Sequence, residues 1–364
     1  MFLQSVFIVD TREVIKILKD NTIIDSAMAS IENAMKKTDY DVDNMNIWEW
    51  WSGVCLYGVI IAHEKTGDAK YTQLLKKWTD KNINDRQNGS VNRVIPCCVP
   101  DYLDFLGNTN KYDGVIEEYV NWCLKDSVRT SNGGFAHVWG PSSATGLECG
   151  PAEAAHQLWA DSLMMACLFM MRRGKRACPP LFDEAVRQIK IHIDVLYNPK
   201  DRLCYHAYDC KTEKNLGRYW ARGNGWIVAV LAEYLRIADK SDADYEYLKN
   251  VFCKIMERAL ALKNTDGMLR TVIDCENAYT EESGTLLFGY AALIGFKLKI
   301  LGAEFYEWAK DIRAGIEMNE NGTVKYISGG TGPDSLEKYL SVPFGDAVYG
   351  AGIVIMFVTE YMNL

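Results

Sequence analysis

Six apolar stretches recur along this chain at long intervals, with a second kind of helix signal between them. They begin near Ser52 (SGVCLYGVIIAH), Pro96 (PCCVPDYLDFL), Asp161, Gly225 (GWIVAVLAEYL), Ser283 (SGTLLFGYAALIGF) and Asp346 (DAVYGAGIVIMFV), at separations of 44, 65, 64, 58 and 63 residues. A stretch that is apolar nearly all round is a helix buried on every side. Amphipathic segments follow most of them, at 68–83, 111–125, 181–196, 242–262 and 303–316. In 181–196 the apolar residues fall at 182, 185, 186, 189, 193 and 196, one face of a 3.6-residue helix. The sixth stretch has no such follower, so an N-terminal helix over roughly 11–37 becomes its partner and closes a ring. Six hairpins closed in this way make an all-α (α/α)6 toroid, apolar helices inside and amphipathic helices outside. The competing arrangement is an open solenoid, whose repeats are usually shorter and more alike. Residues 1–364 are read as one such domain.

Composition narrows the function classes. Hydrophobic residues are 48% of 364, enough for a large core and too many for a disordered chain. Forty Lys+Arg against 48 Asp+Glu give −8, which argues against a general nucleic-acid or anionic-membrane binder. No run of about eighteen uncharged apolar residues is present, so no membrane span is predicted. The start, MFLQSVFIVD, lacks a basic flank and reads as mature sequence. Eleven cysteines show no CxxC, and Cys55, Cys167 and Cys253 sit in apolar runs, which fits a reducing cytoplasm. Five scattered histidines give no metal spacing, and P-loop, HExxH and GxSxG motifs are missing. No cofactor is expected.

In a toroid the inner-helix N-termini gather at one mouth, the default place for a ligand cleft. The segments before them are rich in aromatic and polar residues: Trp48 to Trp51, His156 to Trp159, Arg218 to Asn224, Tyr279 to Glu282 and Tyr339 to Gly345. Three groups stand out. In Tyr219-Trp-Ala-Arg-Gly-Asn-Gly-Trp226, Gly223 and Gly225 permit positive-φ geometry before a helix. Arg222 would be held between Trp220 and Trp226, ready to grip a carboxylate by two hydrogen bonds or to pair with an Asp or Glu of the fold. Asp161, in Trp159-Ala-Asp161-Ser-Leu-Met-Met165, begins an apolar helix. It reads either as an N-cap or as a buried acid whose pKa is raised by desolvation and lowered by the helix dipole and nearby cations. His206, in a loop opening on the same mouth, can reach a ligand. Trp48, Trp50 and Tyr57 either stack on a sugar or fill the core.

These residues carry a resemblance. WxD before a Met-rich helix, with WxRGNGW some sixty residues later, resembles the unsaturated glycuronyl hydrolases of glycoside hydrolase family 105, a group that includes unsaturated rhamnogalacturonyl hydrolases. The similarity extends to WxWxxGVxxYG (Trp48 to Gly58), LxYHxxD (Leu203 to Asp209) and SGT (Ser283 to Thr285), and covers most of the chain. It implies the same toroid and a metal-free, cofactor-free reaction on an unsaturated uronic-acid oligosaccharide, expected to be a disaccharide. Asp161 would protonate C4 of the 4,5-unsaturated uronate and then deprotonate the water that adds at C5. Trp159, Met165, His206, Trp220, Arg222 and Trp226 would line the sugar subsite, with Arg222 and His206 contacting the uronate and Trp48 and Tyr57 as further binding candidates. The chain departs from the pattern at Cys149-Gly150-Pro151-Ala152, where relatives often have a His-Lys pair. It departs again at Asn92 to Pro96, where some have an Asp.

Three other readings compete. A conventional inverting glycosidase needs a second carboxylate roughly 6.5–9.5 Å from Asp161, with Glu49, Glu282 and Asp346 as candidates. A sugar isomerase or epimerase wants histidines at the mouth, where His137, His156 and His206 lie near loops. A non-catalytic sugar-binding protein would bind without turnover.

Overall fold

The computed structural model describes residues 11–39, 41–86, 89–138 and 155–364. The Cys149–Ala152 departure lies outside them. Six inner helices begin close to where the apolar stretches do: α2 (Trp50–Thr66), α4 (Cys98–Gly107), α6 (Leu168–Ala177, entered through a π-helical turn Leu163–Cys167), α8 (Ala221–Ile237), α10 (Glu282–Lys297) and α13 (Val348–Met362). The outer helices are α1 (Thr11–Ala34), α3 (Ala69–Asn82), α5 (Asp113–Asn121), α7 (Pro179–Leu196), α9 (Tyr245–Leu262) and α11 (Ala303–Gly315), and a short α12 (Leu336–Leu340) lies in the last loop. Each outer helix packs on its hairpin's inner helix, α3 touching α4 as well, and the inner helices pack in the order α2, α4, α6, α8, α10, α13 and back to α2. The partner of α13 is α1, so the ring closes by joining the first helix to the last. This is the (α/α)6 toroid.

Burial explains the two kinds of helix. Every residue of α8 from Ala221 to Leu235 is buried, whereas α7 buries one stripe, from Leu181 through Ala185, Ile189 and Ile193 to Leu196. Each fully buried Leu, Ile or Phe contributes about 1.5–3 kcal/mol, and the inner helices are made of such residues. Side-chain caps set several starts: Asp68 accepts from the Lys70 N–H at 2.9 Å for α3, and Glu281 from the Gly284 N–H at 2.8 Å for α10. Helices α2 and α13 meet backbone to backbone. A Cβ on Gly58 would strike the Gly352 carbonyl, and one on Gly352 the Cys55 backbone. Short antiparallel strands decorate the mouth. The largest group is β1 (Gln157–Trp159), β4 (Ala207–Asp209) and β5 (Lys214–Leu216), with Trp159 opposite Ala207 and Ala207 opposite Leu216; β2 (Tyr197–Asn198) pairs with β3 (Leu203–Cys204).

Candidate active site

The β1–β4 pairing assembles the centre of the site. With Trp159 opposite Ala207, and the Ala160 N–H donating to the His206 carbonyl at 2.9 Å, the residue after one strand meets the residue before the other. Asp161, the first helical residue after β1, therefore faces His206, with Oδ2 3.2 Å from Nε2. The helix then runs through the π turn that carries Met165, buried one turn below Asp161. Such turns are frequent at functional sites. The His206 ring is held on its other side, Nδ1 lying 2.6 Å from the Tyr339 hydroxyl.

Around Asp161 runs a continuous chain of rings drawn from several hairpins. His137 stacks on Trp159 at 4.3 Å, Trp159 meets His206 edge-on at 5.6 Å, and His206 stacks on Trp220 at 4.3 Å. The Arg222 guanidinium lies 4.4 Å over Trp220 and 5.1 Å over Tyr349, and Tyr349 meets Trp50 at 5.0 Å. Flat rings of this kind suit the faces of sugars, and the Asp161 side chain, 17% exposed, opens among them. His137 was not singled out from the sequence as part of this centre. It reaches the site through a 2.9 Å hydrogen bond between Nδ1 and the Ser162 hydroxyl, a contact no local spacing announces.

Electrostatics favour the carboxylate form. Burial pushes Asp161 up, but the hydrogen bond from His206 and the influence of His206, His137 and Arg222 hold it below the ordinary carboxylate value. Burial lowers His137 to about 4, against the pull of Asp161, so its imidazole is neutral near pH 7.

Several sequence expectations are corrected. Gly223 and Gly225 lie inside α8 with ordinary helical φ, so α8 starts four residues earlier than expected. Their missing side chains make room for the Trp220 ring and for Leu287 instead. Arg222 lies over Trp220 and Tyr349, not between Trp220 and Trp226. Trp226 sits one turn further along α8, buried, its indole N–H without a partner among the described residues. Nor is the guanidinium open for a two-bond grip. Nη1 donates to Ser283 Oγ (3.1 Å), Ser328 O (3.0 Å) and Ser328 Oγ (2.7 Å), and Nη2 to Gly329 O at 2.7 Å and Thr331 Oγ1 at 3.4 Å. The Glu281 carboxylate balances its charge at 3.5 Å, the structural pairing the sequence had left open. Trp48 fills the core, stacked on Trp78 at 5.3 Å and Tyr119 at 5.9 Å, with its N–H on the Arg93 carbonyl. Tyr57 is also core, fully buried under the Arg172 guanidinium. Trp50 is the aromatic of that motif that joins the ring chain.

The carboxylates considered as second catalytic groups are engaged elsewhere. Glu49, raised to about 7 by burial, pairs with the buried Arg93 at 3.3 Å. Glu282, raised to about 8 by burial, accepts from the Glu317 N–H. Asp346 receives Asn321 and Thr323. None is among the charges that act most on Asp161.

The ring has known counterparts. The unsaturated rhamnogalacturonyl hydrolase YesR of Bacillus subtilis is 28% identical over 323 residues, 87% of this chain and 90% of that protein. An unsaturated 3S-rhamnoglycuronyl hydrolase of Formosa agariphila is 24% identical over 87% of this chain and 85% of its own. A crystal structure from Salmonella enterica, described as a possible member of family 105, superposes with a TM-score of 0.85 at 23% identity, covering 99% of this chain and 96% of the other. The sequence profile of Glycosyl Hydrolase Family 88 matches residues 22–364, and the chain belongs to that family of glycoside hydrolases.

Proposed function

We propose that this chain is one catalytic domain that removes a 4,5-unsaturated uronic acid from the non-reducing end of oligosaccharides produced by polysaccharide lyases. The observation that carries this reading is the Asp161 carboxylate, opening among sugar-sized rings with His206 Nε2 3.2 Å from its Oδ2. YesR and the Formosa enzyme, whose names describe the same chemistry, support it. Asp161 protonates C4 of the enol ether, and positive charge develops at C5 and the ring oxygen. The resulting carboxylate takes a proton from water as its oxygen adds at C5, and the hemiketal opens. The next sugar leaves, and the product is a 4-deoxy-5-keto uronic acid. One group thus serves as acid and then base. The substrate's own carboxylate helps: a second negative charge beside Asp161 raises its affinity for the proton it must deliver. Trp159, Trp220 and Trp50 offer stacking faces, and Arg222 supplies charge while holding the Ser328–Thr331 segment beside the site. The substrate is taken to be a disaccharide.

The cysteines among the described residues are free and several lie deep in the core, which supports a reducing cytoplasm, and among those residues no helix is long and apolar enough to cross a membrane. The test is turnover of unsaturated disaccharides from pectin, rhamnogalacturonan, ulvan and glycosaminoglycans in D2O. Expected are loss of the enol-ether absorbance and deuterium at C4 of the product. Turnover of saturated glycosides with no label at C4 would instead establish a two-carboxylate glycosidase.

A further inference from the structure

Tyr339 lies in α12, far along the chain from Asp161 and His206, and its hydroxyl is the one side-chain group shown on His206 Nδ1. A phenol oxygen has one hydrogen to give and two lone pairs to fill. The chain passes directly beside this oxygen at residue 217. Gly217 lets the chain come this close. It takes a φ of +75, and a Cβ there would collide with the Tyr339 hydroxyl. The Asp161 carboxylate oxygen can only accept, so the His206 Nε2 facing it carries a hydrogen; on a neutral His206 Nδ1 is then an acceptor, and the phenol hydrogen goes to it. The hydrogen of a neutral His206 then sits on Nε2, pointing at Asp161 Oδ2.

We propose that Tyr339 is a positioning residue that fixes the tautomer of His206, so that the Nε2–H group always donates to Asp161 and leaves its other oxygen as the one that carries the proton to substrate. The proposal rests on the role assigned to Asp161 above and adds a reason for its geometry. A neutral His206 of the other tautomer would present a bare Nε2, which would accept a hydrogen bond from protonated Asp161 and hold the proton away from C4. The groups that face the pair are few. Asp161 is approached by His206, His137 and Arg222. His206 is covered by the Trp159, Trp220 and Tyr339 rings. The charges that act most on Tyr339 are Asp161 and Asp334. The proton balance closes on Asp161: it gives one proton to C4, recovers one from water, and His206 and Tyr339 end each cycle as they began.

Long-range 15N–1H correlation spectra of histidine-labelled protein read the tautomer directly, and five histidines keep them simple. The His206 signal is assigned by its loss in His206→Asn. The expected result is hydrogen on Nε2 in the unaltered protein, with a shift toward Nδ1–H in Tyr339→Phe. In that variant the alkaline limb of kcat/KM should also move up by about one pH unit, because the bare Nε2 now stabilises the protonated acid. A structural role for the hydroxyl would lower activity without moving the limb. Hydrogen on Nδ1 in the unaltered protein, or an unmoved limb in Tyr339→Phe, overturns the proposal. The tautomer measurement needs no turnover, so absence of activity on every unsaturated disaccharide would sink the functional reading while leaving this one separately decided.

Discussion

At the mouth the inner helices present their N-terminal ends and at the opposite face their C-terminal ends, and buried charge is handled differently in the two places. At the far end the charges answer one another. Glu233, 3% exposed, takes two hydrogen bonds from Arg236 at 2.5 and 2.7 Å and one from the Tyr290 hydroxyl. Glu360 is met by Lys65 at 3.0 Å, Arg236 at 3.4 Å and Lys297 at 3.6 Å. Cations in the last turns of α2, α8 and α10 also suit the negative ends of helix dipoles. The mouth has the positive ends and a different economy. Arg222 is bound mainly by hydroxyls and carbonyls, and Asp161 by an imidazole. At the far end ion pairs lock the ring, whereas at the mouth the Asp161 carboxylate is met by an imidazole and its side chain stays partly exposed.

Asp161→Asn should lower kcat by about 10³-fold with an unchanged melting temperature. Glu233→Ala should do the reverse, costing about 3 kcal/mol of stability by taking from Arg236 the nearer of its two carboxylates and from Tyr290 its acceptor while kcat of the folded fraction stays put. Comparable kcat losses in both variants would erase the division between the two ends. Next in size is a contrast within one motif. Trp48→Ala should cost about 3–5 kcal/mol in chemical denaturation and leave KM alone. Trp50→Ala should raise KM by up to about tenfold and change stability little. Smallest is the pH effect. Burial raises Glu233, but Arg236, the Tyr290 hydroxyl and Arg172 outweigh it, so its folded pKa lies below the ordinary value of 4.5. Its contribution to stability is full above that value and fades as pH falls through the lower, folded one. Melting curves taken below pH 4.5 should therefore fall less steeply for Glu233→Gln than for the unaltered chain.

The helices were legible because burial writes itself locally. An all-apolar stretch must be inside, and a 3.6-residue stripe must lie against it. Closure of the ring followed from one unpaired stretch. Asp161 was legible for the same reason, as the polar residue at the head of a buried helix. The rest of the site depends on contacts with no period. His137 hydrogen-bonds Ser162, next to Asp161, across 25 residues of sequence, and Arg222 finds Ser328 and Thr331 more than a hundred residues away. The start of α8 was misplaced because Gly223 and Gly225 look like turn residues, and their use is to let a tryptophan and a leucine come close. Trp48 and Trp50 are two residues apart, enough to send one ring into the core and the other to the mouth.

Helix α13 lies between α2 and α10 and also supplies Tyr349 to the ring chain. It is the last of the inner helices to leave a ribosome. Until it emerges, the apolar sides of α2 and α10 lack the one neighbour they share. Burial of those sides and completion of the sugar-facing wall are thus a single late event, so a half-made molecule has neither.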